Sequence, residues 1–126
     1  MKNLEKDILE YLRERGWDNL RPSDLAKSIS IEAGELLEIF QWDSVSIEEA
    51  KKDQERLEKI KRELADIFIY ALDMSVLLDL DTEKIIREKL EHVKKKFPPV
   101  SPEQNDEEKR KRYIAIKEKY RREGLS

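Results

Sequence analysis

The chain has 126 residues, 44 % of them charged and 38 % hydrophobic, which allows one domain with a modest core. With no Cys and a single His (His92), disulfide frameworks, thiolate zinc sites, cysteine nucleophiles and multi-histidine metal centres are excluded within the chain. The net charge is only -3, but residues 106–126 carry eight Lys/Arg against five Asp/Glu, so the acidity is concentrated in residues 1–105.

An acidic body binds polyanions poorly, and no stable nucleic-acid partner is expected. No apolar run approaches the roughly 18–20 residues of a membrane span. The opening MKNLEKDILEYLRERG lacks the apolar centre of a secretory signal. A cytoplasmic protein with no membrane partner is the expectation, its chemistry resting on carboxylates, Lys/Arg, hydroxyls and aromatics.

In chain order, Leu4, Ile8, Leu9, Tyr11 and Leu12 recur at helical spacing, and Gly16 follows as a stop. Arg21-Pro22-Ser23-Asp24 announces a second helix, which should run to about Trp42. Asp43-Ser44-Val45-Ser46 reads as a loop, and Ser46-Ile47-Glu48-Glu49 as a fresh cap and first turn. No breaker then occurs before Leu80-Asp81-Thr82, so the third segment is one long helix or two with a charged joint near Lys51–Glu55. Asp81 or Thr82 caps a fourth helix that ends before Phe97-Pro98-Pro99. Pro98–Glu107 reads as a linker, and Lys109–Glu123 as a short basic helix with Tyr113, Ile116 and Tyr120 on one side. The expected fold is all-α: a four-helix-bundle-type core in residues 1–98, then a linker and short basic C-terminal helix in 99–126.

The informative feature is a pair of acidic helix turns, Glu32-Ala33-Gly34-Glu35 and Glu63-Leu64-Ala65-Asp66. Residues three apart share a helix face, so each turn aims two carboxylates one way. Ile29, Ala33, Leu36 and Phe40 form an apolar stripe with Glu32 at its edge; Ile60, Leu64, Ile67 and Ala71 form another with Glu63 beside it. Four like charges at a helix interface repel and resist desolvation, so a hard divalent ion such as Mg²⁺ suits these oxygen-only ligands, with Mn²⁺ as a substitute. Against this, ExxE and ExxD also arise as plain solvated surface in a chain with 29 acidic residues.

The run RPSDLAKSI leading into IEAGELLEIFQW, followed by ELADIFIYAL, resembles the MazG-like all-α nucleoside triphosphate pyrophosphohydrolases over about residues 17–98. The family hallmark is ExxE, an interval, then ExxD, which Glu32, Glu35, Glu63 and Asp66 match residue by residue. The resemblance implies hydrolysis of a nucleoside triphosphate to the monophosphate and pyrophosphate, with those four residues as metal ligands and Glu35 as the candidate base for water. It also implies substrate contacts: Trp42 and Tyr70 at the base, and Lys89, Arg21 and Lys96 at the phosphates. Trp42 and Tyr70 read equally as core aromatics at helix ends. Val93 stands where many relatives have Asn, which leaves base and sugar preference open.

Glu38 and Asp73 are outer-ligand candidates by spacing, and His92 reads as an exposed surface residue. The rival from another class is a non-catalytic helical interaction module; within the family it is a dCTP- or dUTP-specific enzyme. Ile69, Leu72 and Val76 spread apolar surface round the third segment, so a homodimer or dimer of dimers is expected.

Overall fold

A computed structural model describes residues 1–100 and 102–125, and the described residues are helical with no strand. The all-α expectation holds. The elements are α1 (Lys2–Glu14), α2 (Pro22–Glu38), α3 (Ile47–Lys52), α4 (Gln54–Leu77), α5 (Thr82–Lys96) and α6 (Asp106–Arg122). They fall into two compact units, residues 1–82 and 83–126.

In the first unit α4 is the hub, packing against α2, α1 and α3. Its contact with α1 is a small core of Ile8, Leu12 and Leu72, flanked by Leu20, Val76 and Leu77. Gly16 ends α1 in the left-handed region at φ 69°, which lets Gly16 N–H reach Arg13 O (3.1 Å) and Trp17 N–H reach Leu12 O (2.8 Å). Asp79, at φ 56°, closes α4 by the same device, with Asp79 N–H on Val76 O and Leu80 N–H on Ser75 O. A buried hydrogen bond of 2.6 Å between the Ser75 and Thr82 hydroxyls ties the end of α4 to the residue that opens α5.

Two boundaries differ from the sequence expectation and one open choice is decided, each for a local reason. The second helix ends at Glu38 rather than Trp42. Ile39, Phe40 and Gln41 instead donate to carbonyls three residues back, which tightens and then ends the coil. The long third segment is two helices, because Asp53 leaves the helical region at φ -90°, ψ 90° and its carboxylate caps Arg56 N–H at 3.1 Å. The sixth helix starts at Asp106, inside the expected linker, because Asn105 Oδ1 accepts from Glu108 N–H at 2.8 Å.

The second unit is held by its aromatics. Phe97 and Tyr113 stack with ring centres 4.9 Å apart. His92, expected to be exposed, is half-buried edge-on against Tyr120 at 6.2 Å, and its Nε2 is enclosed without a partner.

Candidate metal and nucleotide site

The α2–α4 contact is antiparallel. Glu32 meets Glu63 and Asp66 at one end, while Asp43, just beyond α2, meets Arg56 at the other. Ile60, Glu63, Ile67, Tyr70 and Met74 are all half-buried along α4, whereas Leu64 is 36 % exposed and Ala71 is exposed. The stripe is therefore rotated from the one read in the sequence. Glu63 lies within it rather than beside it, and half-buried Glu32 faces it from α2 between Ile29 and Leu36. Two acids occupy positions in this seam where apolar side chains would ordinarily pack.

One oxygen each from Glu32, Glu63 and Asp66 lie within 4.8 Å of one another. Oε2 of Glu32 and Oε2 of Glu63 are buried with no hydrogen-bond partner. Partial burial, polar contacts with Glu35 and Glu63, and the charges of Glu35 and Asp66 push the Glu32 carboxyl up to about 7. Glu63 is raised as well, chiefly by burial, with Glu35 and Asp66 adding to the rise against a lowering contact from Glu32. The group is thus short of positive charge. Convergent, all-oxygen and holding orphaned lone pairs, it fits a hard divalent cation.

Glu35 and Glu63 also line an open cleft of about 600 Å³. Its other walls include Glu38, Gln41, Arg56 and Lys59. Tyr70 is half-buried one turn past Asp66, and burial together with the charges of Glu32, Asp66 and Asp73 holds its phenol above its usual range. Trp42 is not a core aromatic: it is 89 % exposed, next to cleft-lining Gln41. Arg21 is the exposed N-cap residue of α2. Lys89 and Lys96 lie on α5 in the second unit, where the Lys96 ammonium sits 5.0 Å from the Tyr120 ring centre. Asp73 is not in the acid group; it is buried on α4 with Oδ1 unpartnered, and burial raises its carboxyl to about 6.

Arg56 and Lys59 were not singled out by the sequence. The signal was available, since both share the face of α4 that carries Glu63, but it acquires meaning only once the seam is located.

A model of the MazG-like family matches residues 27–113. The chain belongs to the MazG-like family. A crystal structure of a pyrophosphatase from Archaeoglobus fulgidus superposes with a TM-score of 0.68 at 36 % identity, covering 79 % of this chain and 93 % of that one. The dCTP pyrophosphatase 1 proteins of Rattus norvegicus and Bos taurus are 28 % and 29 % identical over 101 residues, 78 % of this chain. The chain spans 59 % of the length of those curated relatives. Among the described residues, no helix of this MazG-like protein is long and apolar enough to cross a membrane.

Proposed function

We propose that this MazG-like protein is a metal-dependent pyrophosphohydrolase, cleaving a nucleoside triphosphate to the monophosphate and pyrophosphate as a cytoplasmic nucleotide-pool cleaner. The observation that carries this reading is the acid group in the α2–α4 seam, which holds two orphaned oxygens and whose Glu63 lines a cleft large enough for a nucleotide. Relatives named as pyrophosphatases support it. An interaction module would gain nothing from placing unpaired carboxylates inside a helix seam, where they cost stability.

Glu32, Glu35, Glu63 and Asp66 would hold Mg²⁺ or Mn²⁺. When bound, such an ion neutralises triphosphate oxygens and offsets the charge that builds up at the leaving group. Glu35, lining the cleft beside Glu63, accepts the proton of the water attacking the α-phosphorus; the α–β bridging oxygen departs with pyrophosphate. The Tyr70 phenol, kept protonated by its surroundings, offers a hydrogen-bond donor. Trp42 presents an open ring face for the base. Arg21 is the cation of the first unit assigned to the phosphates. A broad or modified-nucleotide specificity is the reading to test first, with a cytosine deoxynucleotide, after the relatives' name, as the base-specific alternative.

The assembly proposed with this function is a homodimer or dimer of dimers. Leu72 and Val76 are covered by α1, but Ile69, Phe68 and Leu37 remain 44 %, 60 % and 69 % exposed, a load of apolar surface that a second copy would cover. Sedimentation should show no monomer at micromolar concentration.

The reaction is tested by ³¹P NMR in ¹⁸O-water with Mg²⁺ and a panel of canonical and modified triphosphates. Equal pyrophosphate and monophosphate, with the label on the monophosphate, is the expected result. Orthophosphate with a diphosphate would mean cleavage at the γ-phosphorus and would overturn the reading.

A further inference from the structure

Past the end of α2 the chain loses its backbone support. Gln41 N–H reaches Glu38 O only at 3.4 Å, and among the described residues Trp42–Val45 make no backbone–backbone hydrogen bond. Trp42 sits in this stretch with its side chain almost wholly in solvent. A large aromatic on such a tether would ordinarily sample many positions.

Arg56 holds both flanks of this stretch from the other side of the seam. Its Nη1 and Nη2 donate to the two oxygens of Asp43 at 3.0 and 2.8 Å, a bidentate pair across thirteen residues of sequence. Its guanidinium carbon lies 5.7 Å from the Phe40 ring centre, and its Nε is 3.4 Å from Asp53. Arg56 is itself held, because Asp53 also caps its backbone N–H, and its side chain is only 21 % exposed. One residue therefore grips the turn at Phe40 and at Asp43, on either side of Gln41 and Trp42.

We propose that Arg56 is a positioning residue for nucleotide recognition: by clamping Phe40 and Asp43 it fixes Trp42, the neighbour of cleft-lining Gln41, ready to receive the substrate's base. The inference rests on the reading of the cleft as a nucleotide site. Arg56 acts on affinity through Trp42, not on the chemical step, since its charge is already committed to Asp43 and Asp53.

The test is a double-mutant cycle of Arg56→Gln and Trp42→Ala, read as KM and kcat for the triphosphate that wild type hydrolyses best. Arg56→Gln should raise KM by about tenfold, the scale of one lost base–aromatic stack, and leave kcat within about twofold. In the Trp42→Ala background it should add little further. In a Trp17→Phe background, which leaves Trp42 as the lone tryptophan, Arg56→Gln should lower the fluorescence anisotropy without any nucleotide. Unchanged KM and anisotropy in an active Arg56→Gln enzyme would overturn this inference alone, as would a full Arg56→Gln effect in the absence of Trp42. No turnover by the wild-type chain would overturn the functional reading, and this inference with it.

Discussion

The two ends of the α2–α4 contact treat carboxylates in opposite ways. At one end Glu32, Glu63 and Asp66 face one another with no Lys or Arg among the described residues that shift them, and the surroundings raise Glu32 and Glu63 above their usual range. At the other end Asp43 faces Arg56, whose hydrogen bonds hold its carboxyl below the usual range. The same pair of helices thus carries one acid site completed from within and one left incomplete. A chain stabilised only for folding would complete both. The unfinished end is where a ligand's positive charge contributes most, and the finished end keeps the helix partner and its turn in register.

The largest effect is expected from Glu63→Gln, which removes one charge at nearly constant volume. Turnover should fall on the order of 10²–10³-fold, the scale of losing a charge-stabilising group. The metal-free protein should melt at a higher temperature than wild type, because repulsion is relieved. An active Glu63→Gln enzyme would take this residue out of the mechanism.

The pH dependence of the metal-free protein separates the two acid sites next. Glu32 titrates at about 7 when folded, above its usual 4.5, so between those values the folded state binds more protons than the unfolded one. Stability should therefore fall as pH rises from 4.5 to 7. Metal binding needs ionised carboxylates, so the rise in Tm given by Mg²⁺ should be larger at pH 8 than at pH 5. A Mg²⁺ shift independent of pH would contradict the description of this end.

Asp73 extends the comparison to a carboxylate with neither cation nor cleft. Its rise from the usual 3.8 to about 6 bounds the cost of ionising it at about 3 kcal/mol. Asp73→Asn should stabilise the protein by up to that amount at pH 8, with the gain vanishing as pH approaches 4. Chemical denaturation at the two pH values reads it. At the completed end the effect is smallest. Asp43→Asn should lower Tm slightly at pH 7, and the difference should disappear as pH falls below 3.8 through the depressed value of Asp43.

How much of this was legible in the sequence follows from where each determinant lies. The cap at Ser46 and the stop at Gly16 are local and were readable, since each needs only residues within one turn. The choice between one long helix and two was left open because it turned on a single side chain, Asp53, folding back onto Arg56 N–H. The pairing of the two acidic turns was readable because three-residue spacing fixes a face. The place of Glu63 inside the stripe was not, because apolar Leu64 and Ala71 outweigh a carboxylate in any hydrophobicity pattern, although both are more exposed than the residues of the seam. The early end of α2 and the grip of Arg56 on Asp43 depend on a contact thirteen residues apart, which no local pattern encodes.

The measurement that bears most directly on the central claim is a Mn²⁺ titration followed by electron paramagnetic resonance, comparing wild type, Glu63→Gln and Asp43→Asn without nucleotide. Wild type and Asp43→Asn should bind Mn²⁺ alike and release it to excess Mg²⁺, while Glu63→Gln should lose the site. Equal binding by wild type and Glu63→Gln, or no binding by wild type, would contradict that claim.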